Sequence, residues 1–261
     1  MKPVLIFVHG GWHTPECWTY IVSLLRPQGY ECVTPQLDYS GTAKPVESIA
    51  SSIEQIQKLL NVATMAGRDV VLVNHSFGGV VGCSAVKGFT QKNSSQLHAG
   101  SGRVIGIIHL SAIMVPSHCS VDDLASLSPD PLFHNPGPDG WQIIDNGDPR
   151  DVFYNDLPLA EGDYWAGKLR KQSSAAFADR DNIYQGWADI PVWYLYCTDD
   201  HALPVKVQEE IVSAAIKLGA EITTEYIASG HSPFLSKAAD TVRFICDAIN
   251  ALQRSETELG S

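Results

Sequence analysis

The stretch 72–82, LVNHSFGGVVG, decides how this chain is read. The apolar run DVVLVN (69–74) stops abruptly at His75-Ser76, and two glycines then open a run of small residues. A short continuous apolar run of about 4–8 residues is the pattern of a strand buried on both faces. The glycines after it let a helix begin close against that strand. A serine at such a break is either a nucleophile on a sharp turn or part of an ordinary strand-to-helix connection. The motif that would decide, G-x-S-x-G, stands here as N-H-S-F-G, with Asn74 first and Gly78 last. Asparagine is among the non-glycine residues that accept unusual backbone angles, so Asn74 weakens the motif without touching a reacting group.

Outward from this stretch the same alternation repeats. VLIFV (4–8), ECVTP (31–35), VIGIIHL (104–110), PVWYLYC (191–197) and ITTEYIA (222–228) read as further strands. Helices are expected over 17–28, 46–66, 77–91, 204–218 and 233–252. In 46–66 the apolar residues Ile49, Ile53, Ile56, Leu59, Leu60 and Val62 mostly recur three or four apart, the period of a half-buried helix. Strands alternating with helices imply an α/β fold, a doubly wound, mostly parallel sheet flanked by helices. Its core is expected to comprise 1–115 and 189–252. The rhythm is lost over 116–188, which reads as an inserted, mainly helical cap or lid, and 253–261 reads as a flexible C-terminal tail. The insert's aromatic residues Phe133, Trp141, Phe153, Tyr154, Trp165, Phe177 and Trp187 are expected mostly to build its own small core, with some facing a substrate cavity.

Composition narrows the functions. With 261 residues, 44% of them hydrophobic, the chain suits a soluble globular protein. A net charge of −11 with no basic run argues against nucleic-acid and anionic-membrane partners, both of which require clustered Lys and Arg. The six cysteines form no CxxC pair and no zinc-type spacing with histidine, so free thiols in a reducing compartment are expected. VLIFV is too short for a signal-peptide core or a membrane span. A cytoplasmic location follows as an expectation, and no metal or organic cofactor is called for.

In parallel sheets ligands bind beyond the carboxyl ends of the strands. After the first strand comes His9-Gly10-Gly11-Trp12, and after DVVLVN comes His75-Ser76-Phe77-Gly78-Gly79. After PVWYLYC comes Thr198-Asp199-Asp200, and after the last strand comes Ser229-Gly230-His231. Ser, Asp and His thus follow three separate strands in the chain order of a nucleophile, an orienting acid and a base. A serine hydroxyl needs a neighbouring base to become a nucleophile. The helix beginning at Phe77 and the Gly11 turn both present amides to a developing oxyanion. Asp199 and Asp200 are both available to orient His231. Asp200 is preferred because it lies at the strand-to-helix bend before Pro204. A histidine base must be neutral to act, so activity is expected to rise through mildly acidic pH to a plateau.

Taken together, these residues resemble the α/β-hydrolase superfamily, and within it the branch of methyl esterases, hydroxynitrile lyases and related small-ester hydrolases. The resemblance runs over essentially 3–252 and is carried by FVHGGWHTPECWTYIVSLL, LVNHSFGGVV, YCTDDHALP and SGHSPFLSK, more loosely by YWAGKLRKQSSAAF. It implies a triad of Ser76, Asp200 and His231, an oxyanion hole from the amides of Gly11 and Phe77, and a cap at 116–188. It also suggests a homodimer. The lyases of this branch carry a lysine after the catalytic histidine and a threonine in the oxyanion turn. Here those positions are Ser232 and Gly10, which argues against cyanohydrin cleavage. A serine at 76 likewise disfavours the dehalogenases and epoxide hydrolases, which use a carboxylate nucleophile.

The reading reached is a serine hydrolase of a small-molecule carboxylic ester or lactone acting through an acyl-enzyme. One fold hosts many chemistries. The alternatives are therefore a triad-dependent C–C bond hydrolase or biosynthetic cyclase or acyl-transfer enzyme, and a non-catalytic small-molecule receptor. Trp12, His75 and Trp165 are expected to line the substrate pocket, with His109 a further candidate. His13, His118, His134 and His201 read as surface or loop residues as readily as site residues.

Overall fold

The computed structural model describes residues 1–125, 137, 139–144 and 147–259. Phe133 and His134 lie outside them. The strands are β1 (Val4–Val8), β2 (Glu31–Val33), β3 (Val70–His75), β4 (Val104–Leu110), β5 (Trp141–Gln142), β6 (Gln172–Ser173), β7 (Val192–Cys197) and β8 (Ile222–Ile227). The helices are α1 (Thr19–Leu25), α2 (Ala50–Met65), α3 (Gly78–Ala85), α4 (Val121–Ala125), α5 (Pro149–Tyr154), α6 (Leu159–Ala166), α7 (Ser174–Ala178), α8 (Val205–Lys217), α9 (Pro233–Ser236) and α10 (Ala238–Leu259).

Six strands form one parallel sheet in the order β2-β1-β3-β4-β7-β8. The apolar runs behave as their composition requires: β1, β3 and β4 are buried along their whole length, because helices cover both faces. Burying each Val, Leu or Ile of such a strand is worth about 1.5–3 kcal/mol relative to leaving it in water. The edge strand β8 instead exposes Thr223, Thr224 and Tyr226. Strand order reverses between β1 and β3, so the loops leaving these two neighbours diverge and open a crevice at the carboxyl edge. The Gly10 turn and the Ser76 turn face each other across it.

Several elements differ in extent from the sequence reading. The helix expected over 77–91 ends at Ala85, and that over 46–66 runs Ala50–Met65 with Ile49 as its buried N-cap. Val62, counted with the buried stripe, is 71% exposed, because it follows Leu60 by two positions and points off that face. Residues 253–259, read from the sequence as part of a flexible tail, continue α10 to Leu259. That helix is pinned where Leu252 packs into β4 at Gly106, whose missing Cβ would sit 2.4 Å from the leucine Cδ1. Within 116–188 the described residues form four short α-helices, a 3-10 helix at Gly186–Ala188 and the antiparallel β5–β6 pair, of which only the strand pair was not anticipated by the sequence reading. The six cysteines are free.

Candidate active site

Between β3 and α3 the chain turns within two residues. Ser76 takes φ +50, the left-handed region that costs an L-residue about 1–2 kcal/mol, and it is 8% exposed. Its carbonyl accepts from the Gly79 and Ile113 amides at 2.9 Å each, which holds the bend on both sides. The glycines after it are steric necessities. A Cβ on Gly78 would lie 2.4 Å from the Val8 carbonyl oxygen and 2.5 Å from that of His9, and one on Gly79 would lie 2.4 Å from the Ile113 oxygen. Backbone cannot yield at such distances. Gly78→Ala is therefore expected to cost at least about 3 kcal/mol, the upper range for overpacking, read as a lowered urea midpoint. Gly29→Ala, at φ +86 with open space around it, should cost only the backbone strain, about 1–2 kcal/mol. Equal losses at the two positions would contradict the steric account.

Asn74 is accommodated differently from the expectation. Its backbone is ordinary strand, paired with Val8 on one side and His109 on the other. What makes room is Gly82, one turn along α3, where a Cβ would fall 2.3 Å from Asn74 Oδ1. The substitution at the motif's first position is thus matched by a glycine eight residues later.

Asp200 and His231 meet in the interior. His231 Nδ1 lies 2.7 Å from Asp200 Oδ2, both side chains fully buried. Asp200 Oδ1 accepts from the Ala202 and Leu203 amides at 2.8 and 2.7 Å, and Oδ2 from Ser111 Oγ at 2.5 Å and Gln208 Nε2 at 3.3 Å. An acceptor so fully occupied offers no proton, so the hydrogen between the two groups belongs to the imidazole Nδ1. The Nε2 of His231 is buried with no hydrogen-bond partner among the described residues. Asp199 is exposed and contributes only backbone bonds, its carbonyl accepting from Asn155 Nδ2. Of the two aspartates, only Asp200 reaches His231.

The structure brings Ser76, Asp200, His231, Gly11, Phe77, Trp12 and His75 together, all buried, at the carboxyl edge of the sheet. A Cβ on Gly10 would lie 2.9 Å from Ser76 Cβ and 2.8 Å from His75 Nδ1, so the two loops touch. His75 donates Nε2–H to the His231 carbonyl at 2.9 Å and packs its ring 4.5 Å from that of His231. Rings close the other side: Trp12 lies 5.7 Å from both Phe153 and Phe177, Phe177 lies 4.5 Å from Phe77, and Phe153 lies 5.7 Å from His231. Trp165 is buried on α6, where its ring neighbours among the described residues are Tyr20 of α1 and Tyr164 of its own helix rather than the rings around Trp12. His109 is also elsewhere, inside the sheet with Nε2 3.6 Å from Cys83 Sγ.

Sequence reasoning missed Ser111, Gln208 and Gln172, and it left His13 and Tyr154 without a role. Ser111 was within reach, since it directly follows VIGIIHL just as the other site residues follow their strands. It too has a positive φ, of 42°. Gln208 and Gln172 give no sequence signal, because each acts through a fold that brings distant segments together.

Burial also sets the charge of the site. Loss of solvent pushes His9 down to about 4 and His13 to about 3, partly offset by their bonds to the Gly10 and Gly11 carbonyls. Desolvation holds His75 well below the usual range and His109 at about 3. All four are neutral near pH 7.

A strand-turn-helix serine, a buried Asp–His pair and a loop of amides at the switch point of a parallel sheet define a hydrolase of the α/β type. The family comparison agrees: the alpha/beta hydrolase family matches residues 5–244, and the chain belongs to it. An alpha/beta hydrolase of Aspergillus novofumigatus, nvfD, is 31% identical over 95% of this chain and 97% of its own length. The pFDCC methylesterase MES16 of Arabidopsis thaliana is 24% identical over 97% of each. The crystal structure of polyneuridine aldehyde esterase superposes with a TM-score of 0.73 at 18% identity, over 95% of this chain and 99% of that one. Among the described residues no helix is long and apolar enough to cross a membrane.

Proposed function

We propose that this hydrolase cleaves a small-molecule carboxylic ester or lactone through an acyl-enzyme on Ser76. The observation that carries the reading is the Asp200–His231 pair, with Nε2 buried and unpartnered among the described residues and the His231 ring packed on His75, the residue before Ser76. Ser76 Oγ attacks the carbonyl carbon while His231 Nε2 takes its proton. The carbonyl oxygen becomes an oxyanion and receives the amides of Gly11 and Phe77, each worth about 3 kcal/mol of barrier. Collapse expels the alcohol, which leaves with the proton from His231. Water then gives a proton to Nε2 as it attacks the acyl carbon; the Oγ–acyl bond breaks, Nε2 returns the proton to Ser76 Oγ, and the acid leaves. Asp200 stays ionised and stabilises the imidazolium. The methylesterase relatives favour ester over C–C bond cleavage.

The two aspartates supply the test. Asp200→Asn removes the acceptor that fixes the imidazole tautomer and is expected to lower kcat by about 10⁴. Asp199→Asn, at an exposed side chain, should leave it unchanged. Hydrolysis of a p-nitrophenyl ester and a simple lactone, followed for both variants, measures this. Loss of activity in the Asp199 variant, or its survival in the Asp200 variant, rejects the assignment.

A further inference from the structure

The cap does more than cover the crevice. Its inner segment 170–173 runs along 39–41: the Gly41 amide donates to the Lys171 carbonyl and the Ser173 amide to the Tyr39 carbonyl, both at 2.9 Å. From there it reaches the turn at 10–13. The Arg170 amide donates to the Trp12 carbonyl at 2.8 Å. The Trp12 amide donates to the side-chain oxygen of the fully buried Gln172 at 3.3 Å. On the opposite side Tyr154 of α5 donates its hydroxyl to His13 Nε2 at 3.1 Å, and His13 passes Nδ1–H to the Gly11 carbonyl at 2.7 Å. Neutral His13 can do both only in this tautomer.

One peptide, Gly11–Trp12, is therefore held at both of its ends by the cap, its N–H through Gln172 and its C=O through Tyr154 and His13. The preceding peptide is held through its carbonyl, because Gly10 O accepts from the His13 amide and from His9 Nδ1. In a planar trans peptide N–H and C=O point in opposite directions. Anchoring Gly10 O therefore aims the Gly11 N–H away from those donors. Trp12 adopts φ +60, a conformation an L-residue keeps only when its surroundings impose it. Gln172 is the side chain that accepts from its amide.

From these contacts we infer that the cap assembles the oxyanion hole, with Gln172 and Tyr154 as positioning residues that hold the Gly11 amide at its working angle. The inference rests on the ester-hydrolase reading above. It separates these two residues from the aromatic rings that line the crevice: a lining residue affects how well substrate binds, whereas a residue that aims an oxyanion donor affects the transition state alone. Correct cap docking thereby becomes a condition for turnover.

The experiment compares Gln172→Met, which keeps the volume and removes the acceptor, with Tyr154→Phe, which removes a single oxygen. Each is expected to lower kcat on a p-nitrophenyl ester by about 10- to 100-fold, with KM unchanged. The inhibition constant of an aryl trifluoromethyl ketone, which adds to a serine as an oxyanionic hemiketal, should rise by the same factor. The double variant should lose less than the product of the two, since both act on one peptide. A raised KM with unchanged kcat, or an unaltered inhibition constant, would reduce the two residues to pocket lining and overturn the inference while hydrolysis itself stands. If Gln172→Met does not fold, Tyr154→Phe carries the same comparison. Absence of wild-type turnover would instead remove the hydrolase reading beneath it.

Discussion

Ser76→Ala is expected to lose on the order of 10⁴–10⁶ in kcat on p-nitrophenyl acetate and all labelling by a fluorophosphonate. The serine is the one hydroxyl on the strained turn where β3 ends, and the elements around it spend conformational freedom to hold it there. Its φ is +50, its carbonyl is pinned by two amides, and the glycines that follow tolerate no side chain. Alanine keeps the turn and removes only the oxygen, so folding should be unaffected and the loss should be chemical. Intact mass distinguishes the outcomes, since wild type gains one phosphonyl adduct and the variant none. A Ser76→Ala protein that still labels would place the nucleophile elsewhere. A wild type that neither labels nor turns over would favour a hydrolase-fold receptor.

Acid should destabilise this protein progressively as the pH falls below 6.5. His9, His13 and His109 are held at about 4, 3 and 3 in the fold, against an ordinary 6.5 in the unfolded chain, and His75 is displaced in the same direction. Below pH 6.5 the unfolded chain binds protons that the folded protein refuses, so falling pH favours unfolding. The stability is fully present above 6.5 and is lost as pH drops toward 4. Each such histidine costs about 1.4 kcal/mol per pH unit once its unfolded form is charged. Three together remove about 3 kcal/mol between pH 6.5 and 5.5 and of the order of 10 kcal/mol by pH 4, comparable to a whole domain's stability of about 5–15 kcal/mol. Urea midpoints at pH 7.5, 6.5, 5.5 and 4.5 measure this. A midpoint that stays flat from 7.5 to 5.5 would show that these imidazoles are solvated or charged in the fold.

Much of the site was legible because the rule that organises it is local. Catalytic side chains in a parallel sheet follow the carboxyl ends of strands, and the strands were visible as short apolar runs. Ser76, Asp200, His231 and Gly11 all come from reading the residues just past such runs. Trp165 marks the limit of that rule. A helical aromatic in the insert has no strand end to orient it, and nothing in DYWAGKLRKQ says which side chains its ring meets. His13 looked like a loop residue because its burial depends on Tyr154, some 140 positions away.

By itself, then, the sequence determined the parallel α/β architecture, the placing of the site at the carboxyl ends of the strands and the chain order of serine, acid and base. Those follow from hydrophobic periodicity and from turn residues acting over a few positions. Only the tertiary structure decided which of two adjacent aspartates faces His231, and that Gly82 makes space for Asn74. It also decided that Gln172 closes on the Trp12 amide. The physical reason is the same in each case. A buried polar group must find its partner or its space from whatever the packing brings near, and packing joins residues whose separation along the chain carries no record of their contact.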